Sequence, residues 1–287
     1  ALPILRYKQA GLVNGIDVAT TPEGFKFTYE QFVKEANSTP AKRALYGMIQ
    51  ASTYDNEANL PDDYISSLFE SYPAQLISAY LKGQFVNLTS GAVYPDFDRV
   101  LNHTDEEIKP NENLIIGMDF NVTKMAAVVY VRRGDTMHAV DEFVNLFDTP
   151  AMIEAIKERY PGYEVGIYPD ASGDNRKSAN ASETDIALLR KAGFKVFVNS
   201  RNPAVKDRIN SMNGMLCNTF GERRLYVNAN KCPHFAKCQE RQIYDVHGQP
   251  DKKAGFDHTN DAGTYPIAYL FPINEQITHI DLPMFGF

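Results

Sequence analysis

Three acids stand at positions where a bare carboxylate would be costly. Leu114-Ile-Ile-Gly-Met-Asp119-Phe-Asn121 reads as an apolar strand ending on an acid, and Tyr163-Glu-Val-Gly-Ile-Tyr168-Pro169-Asp170 as a second one. The third, Asp261, lies in Asp257-His258-Thr259-Asn260-Asp261, the opening of a last helix. A carboxylate at the mouth of a buried strand must be paired, hydrogen-bonded or on a metal. If the two strands run side by side in the same direction, strand spacing puts Asp119 and Asp170 roughly 5 Å apart, where they repel. A hard divalent cation relieves that repulsion, and carboxylate oxygen selects Mg²⁺ or Mn²⁺. With Asp261 added, three carboxylates can hold two ions about 3.5 to 4 Å apart, one making and orienting hydroxide and the other stabilising the leaving oxygen in an in-line attack on a phosphodiester.

Each acid also has an ordinary explanation. Asp119 suits a strand-end turn, Asp170 suits the turn Pro169-Asp-Ala-Ser-Gly173, and Asp261 suits the first turn of a helix capped by Thr259 or Asn260. Around them, Glu142 at the end of a third strand is an additional ligand or an acid just behind the ligands, or is merely solvated. Asp257 and His258 orient water or a ligand, with an N-cap role open for Asp257, and Asp174 follows the glycine turn. DNA near such acids needs cations for its phosphates. Arg176 and Lys177 come just after Asp170, and Arg201, Lys206 and Arg208 follow the neighbouring strand, so all five are candidates. Nothing reads as a base-recognition module, which implies little sequence preference.

The elements that must carry these residues are legible from Glu112 onward. The predicted order is strand (Leu114 to Phe120), strand (Met125 to Val131), strand (Thr136 to Phe143), helix (Pro150 to Tyr160), strand (Glu164 to Tyr168), helix (Glu183 to Ala192) and strand (Lys195 to Val198). Helices follow near Val205 to Cys217, His234 to Tyr244 and His258 to Leu270. Short loops make the first three strands an antiparallel meander, and helical crossovers make the later strands parallel to the first. That is the order of a ribonuclease-H-like mixed sheet flanked by helices, an α/β fold.

Before Gly91 the reading is thinner. A strand from Gly11 runs into Thr20-Thr21-Pro22, a helical pattern covers Thr28 to Ala36, and a second strand spans Ala44 to Ser52. Leu60-Pro61-Asp62-Asp63 opens a helix, and another runs from Pro73 to Lys82 and stops at Gly83. Two strands and two helices are too few for a covered sheet, so this segment reads as the end of a domain whose beginning lies elsewhere.

The net charge of −7 argues against a protein that coats nucleic acid, though a local basic groove is compatible with it. Cys217, Cys232 and Cys238 are an odd, late set that suits a reducing compartment. Cys232-Pro-His234-Phe-Ala-Lys-Cys238 has the look of a zinc half-site, but without a fourth ligand at a usual spacing helix packing explains it better. No apolar run approaches the ~20 residues of a membrane span, which reads as a cytoplasmic protein.

Ala19-Thr20-Thr21-Pro22-Glu23-Gly24, Ala51-Ser52-Thr53-Tyr54-Asp55-Asn56, Leu60-Pro61, Tyr80-Leu81-Lys82-Gly83-Gln84-Phe85-Val86 and Gly91-Ala92-Val93-Tyr94-Pro95-Asp96-Phe97-Asp98 occur in that order. The series resembles the end of the motor domain in large terminase subunits of tailed bacteriophages. The resemblance covers nearly the whole chain and implies the end of a P-loop-type packaging ATPase over 1–90, a linker over 91–111 and a ribonuclease-H-like nuclease over 112–287. It assigns Thr20 and Thr21 to the turn that couples ATP hydrolysis to DNA movement, although a plain strand-end turn is the alternative. It places the nuclease acids on Asp119, Asp170 and Asp261, with two Mg²⁺ or Mn²⁺ ions. It further implies an endonuclease that cuts concatemeric double-stranded DNA in the cytoplasm of the infected bacterial host, working with a small terminase subunit and a portal protein as an oligomer on the portal. The chain departs from the family in having no Gly-Lys dipeptide and hence no Walker loop, so ATP is expected to be used only by the full-length motor. Two rivals remain. An actin or sugar-kinase fold also begins with a meander and an early Asp, but it would need a repeat and later Gly-rich loops. A non-catalytic docking or DNA-binding part of the packaging motor would use the same acids structurally.

Overall fold

A computed structural model describes residues 18–21, 27–85, 91–121, 124–174 and 184–273. Two compact units divide the chain, Ala1–Asn59 with Ser78–Asn87 and Leu60–Ile77 with Leu88–Phe287. The helix expected from Leu60 therefore travels with the later unit rather than with the first 90 residues.

In the smaller unit, the helical pattern expected from Thr28 appears as one α-turn, α1 (Phe27–Tyr29), running into a π-helical stretch, Glu30–Glu35. Thr39 caps α2 (Pro40–Arg43) by accepting from the Lys42 N–H. The strand expected over Ala44 to Ser52 is a correction: the segment is turn and coil, mostly exposed. A strand exists only if a neighbour takes its N–H and C=O groups, and this segment has no ladder partner among the described residues. A 3₁₀ turn follows at Thr53–Asn59, and Thr53 bonds through its N–H to the Leu81 carbonyl and through its hydroxyl to the Tyr80 carbonyl. Thr20 and Thr21 are exposed and outside regular structure, while the strand expected from Gly11 lies outside the described residues up to Val18.

The larger unit holds α3 (Tyr64–Ser71) and most of α4 (Ala74–Tyr80), then a six-stranded sheet. Its strands are β1 (Leu114–Asp119), β2 (Met125–Arg133), β3 (Thr136–Leu146), β4 (Val165–Pro169), β5 (Lys195–Val196) and β6 (Leu225–Val227), in the spatial order β5-β4-β1-β2-β3-β6. β1, β2 and β3 form the antiparallel meander; β4 is parallel to β1, and β5 to β4. β6, parallel to β3, was not expected.

Helices cover both faces, which is why β1 and β2 read as continuous apolar runs. On one face α5 (Thr149–Arg159) and α6 (Asp185–Lys191) pack Met152, Ile156 and Leu189 against Ile116, Met118 and Val129. On the other, α7 (Val205–Leu216), α8 (Pro233–Arg241) and α9 (Asp257–Leu270) pack Met212, Phe235 and Ile267 against Val128 and Tyr130. Asp148 and Thr184 cap α5 and α6 through the N–H groups of Ala151 and Ala187.

Helix α9 lies unusually close to β1. A Cβ on Gly117 would overlap the Ala262 carbonyl and come within 2.7 Å of Pro266 Cδ. Pro266 supplies a reason for that closeness: having no N–H, it leaves the carbonyl four residues earlier, that of Ala262, without its helical partner. The next residue, Gly263, is equally hemmed in from α8 and β2, where a Cβ would meet the Phe235 ring and the Tyr130 hydroxyl. Among the described residues no helix is long and apolar enough to cross a membrane.

Candidate active site

The β1–β4 register decides where the first two acids fall. Met118 pairs with Pro169, and the Asp170 N–H donates to the Met118 carbonyl at 3.0 Å, so Asp119 and Asp170 are neighbours at the carboxyl ends of parallel strands. Gly117, two residues before Asp119 on the same face, touches Ala262, the residue after Asp261. The close helix approach therefore delivers the third acid to the same end of the sheet. Tyr265, one turn beyond Asp261, registers the convergence: burial raises its phenol well above the usual range, Arg208 opposes this, and Asp170, Asp261 and Asp119 all add to it.

Each acid has a protein partner. Asp119, 7% exposed, is 3.1 Å from His258 Nδ1 through Oδ2, and Asn121 Nδ2 lies 2.7 Å from His258 Nε2. The bond to Asp119 raises the His258 pKa against the effect of burial, with Asp257 and Asp261 adding to the rise. Asp170 Oδ1 accepts from Asn202 Nδ2 at 2.6 Å and from the Ser172 N–H at 2.7 Å, while Asn202 Oδ1 accepts from the Ala171 N–H at 2.8 Å. Asp261 Oδ1 accepts from Arg208 Nη1 at 3.1 Å; the same nitrogen is 2.9 Å from Thr264 Oγ1, and the guanidinium sits 4.5 Å from the centre of the Tyr265 ring. Burial pushes the Asp261 carboxyl up, Arg208 pulls it down, and Asp119 and Asp257 push it up again.

Asp257, 3% exposed, has Oδ2 at 3.8 Å from His258 Nδ1 and a buried Oδ1 with no hydrogen-bond partner. An orphaned carboxylate oxygen beside mutually repelling carboxylates is a donor set suited to a hard divalent cation. Taken as they stand, however, no three His, Cys, Asp or Glu side chains among the described residues converge closely enough to hold a metal ion. Arg208, His258 and Asn202 already engage Asp261, Asp119 and Asp170.

The other candidates scatter. Glu142 serves α8, accepting from the N–H groups of His234 and Phe235 at 2.8 and 2.7 Å, and burial raises its pKa. Its two oxygens satisfy the N–H groups at a helix start. Arg201 and Lys206 are exposed near the start of α7. Arg208 is a correction: at 4% exposure it cannot be a surface cation for phosphate. Its place on the apolar stripe of α7, in register with Met212 and Met215, was the missed signal. Arg176 and Lys177 lie outside the described residues, as does the side chain of Asp174. Asn121 and Asn202 were not anticipated, and nothing local in the sequence marks them. Cys232, at the N-cap of α8, and Cys238, within that helix, are buried core residues, and burial pushes the Cys238 thiol up to about 12.

A meander-first mixed sheet, extended by parallel strands and covered on both faces by helices, is the architecture of a ribonuclease-H-like domain. The family described as Terminase RNaseH-like domain matches residues 116–270, more than half of the chain. A second description, Terminase large subunit, T4likevirus-type, N-terminal, matches residues 6–100. The chain belongs to the large terminase subunits. Among solved structures, the large terminase of a thermophilic bacteriophage superposes with a TM-score of 0.65 at 17% identity, over 87% of this chain and 61% of that one. The complex of the same phage protein with ATP-gamma-S gives 0.65 and 17% over 86% and 61%. The P22 large terminase nuclease domain gives 0.50 and 16% over 65% of this chain and 96% of that domain. At these identities the likeness speaks for the fold, and the chain spans about 61% of the length of the thermophilic phage protein. No curated protein sequence matches it.

Proposed function

We propose that this chain carries the nuclease of a phage DNA-packaging machine and cuts concatemeric double-stranded DNA by metal-dependent, two-ion phosphodiester hydrolysis. The observation that carries this reading is the adjacency of Asp119 and Asp170 on parallel strands beneath the helix that brings Asp261. These three carboxylates would hold two Mg²⁺ or Mn²⁺ ions, with Asp257 beside them. Bound there, the ions would supply Lewis acidity, activating water for in-line attack and neutralising charge on the leaving oxygen. The chain's own groups orient the site: His258 bonds Asp119 and is itself held by Asn121, and Tyr265 stays neutral among the acids. Arg201 and Lys206, exposed near the start of α7, would meet DNA phosphates.

In the same reading residues 1–90 are the end of the packaging ATPase, 91–111 a linker and 112–287 the nuclease. Thr20 and Thr21 would belong to the coupling turn, and ATP would be used by the full-length motor. The small terminase subunit and the portal protein are the partners, with assembly as an oligomer on the portal in the cytoplasm of the infected host. One observation favours the rival docking role, namely that each acid already has a protein partner. Plasmid cleavage with Mn²⁺, with Mg²⁺ and with EDTA separates the two. Cutting should require metal and vanish in folded Asp119→Asn and Asp170→Asn chains. An intact plasmid after incubation of the folded wild-type chain with Mn²⁺ would favour docking.

A further inference from the structure

Asn202 and Arg208 bracket one short stretch, the loop into α7 and the first turns of that helix, and each grips a different acid. Asn202 closes a two-point clasp on the Asp170 turn, donating to Asp170 Oδ1 and accepting from the Ala171 N–H. Arg208 reaches across to α9, where it holds Asp261 Oδ1 and Thr264 Oγ1 with one nitrogen while stacking on Tyr265. Asp170 follows a strand and Asp261 rides on a helix, and no covalent link shorter than the whole intervening chain relates them. The 202–208 stretch ties them together. As a device for core stability Arg208 is a poor choice: its Nε is buried without a partner, and a well-packed apolar residue commonly does as well as a buried ion pair. Its burial makes sense if what it stabilises is the position of Asp261.

We propose that residues 202–208 form a brace that sets the spacing of the second and third acids for divalent-cation binding, with Asn202 and Arg208 as positioning residues. The proposal rests on the reading that Asp119, Asp170 and Asp261 take the cation. The test is calorimetric titration of Mn²⁺ into the full 287-residue chain, with plasmid cleavage in parallel. Groups that orient metal ligands typically change affinity about 10- to 100-fold when removed, and that loss is expected for Asn202→Ala and for Arg208→Met. Arg208→Lys should recover part of it. Because Arg208 acts through Asp261, adding Arg208→Met to Asp261→Asn should weaken Mn²⁺ binding no further, whereas a general packing defect would add in full. Wild-type affinity in folded Asn202→Ala and Arg208→Met chains overturns the brace, and Asn202→Ala decides the matter if Arg208→Met does not fold. If Asp119→Asn also binds as wild type, or the wild-type chain takes up no Mn²⁺, the cation reading itself has failed and the brace falls with it.

Discussion

Removing Asp261 without its partner is the sharpest test of the electrostatics. Arg208 is held by Asp261 at 3.1 Å with its side chain only 5% exposed, so Asp261→Ala leaves a guanidinium in a largely dry place. Breaking a buried pair from one side costs about 3 to 5 kcal/mol. Two features pull the figure to the lower end. The Asp261 side chain is 30% exposed, so water reaches part of the vacated space, and Asp119 and Asp257 lose a repelling neighbour. The expectation is about 3 kcal/mol, which for a unit of this size lowers the thermal midpoint by roughly 6 to 12 °C. Thermal unfolding in EDTA, followed by circular dichroism, reads it directly. Asp261→Asn, whose amide oxygen can still accept from Arg208, should lose about half as much, and Arg208→Met combined with Asp261→Leu should recover most of the loss. A midpoint for Asp261→Ala within about 1 °C of wild type would refute the account of a buried, dependent cation.

Other substitutions test other parts of the frame. Gly117→Ala should destabilise by about 3 kcal/mol or more, because the new methyl meets the α9 backbone at Ala262 and Pro266 Cδ; denaturant unfolding measures it, and a loss under about 1 kcal/mol would contradict the close helix approach. Glu142→Ala should cost about 1 to 3 kcal/mol by stripping two N–H groups of α8 of their acceptor, yet leave Mn²⁺ affinity unchanged. A collapse of Mn²⁺ binding in that variant would return Glu142 to the site. The raised His258 pKa makes a metal-free chain pH-sensitive: its contribution is complete below about pH 6.5 and is lost as the pH climbs through the higher folded value. Unfolding in EDTA from about pH 6 to pH 9 should show that decline, and His258→Gln should flatten it.

The sheet was legible because its strands are long, buried on both sides and separated by good turns. β1 through β4 fall within two or three residues of expectation at each end, and the helices from α5 to α9 begin and end near theirs. β6 was missed because three residues, Leu225–Val227, carry no period; the strand exists because β3 offers an edge and Asn102 bonds the Leu225 carbonyl beside it. The opposite error occurred at Ala44 to Ser52, where suitable residues had no edge to join among the described residues. Arg208 was misread for a related reason. A cation near the start of a helix reads as solvated until the acid that buries it is known, and Asp261 lies more than fifty residues later in the chain.

By itself the sequence determined which acids end which strands, since a strand's apolar run and its terminal carboxylate are local facts. It also determined the meander-first order, because short loops force antiparallel neighbours and helical crossovers force parallel ones. Only the tertiary structure decided who holds those acids. His258, Asn202 and Arg208 reach Asp119, Asp170 and Asp261 from other elements, and Gly117 and Pro266 together set how near the last helix can come. Such contacts depend on the closing of long loops and the packing of faces, which leave no spacing in the sequence to read.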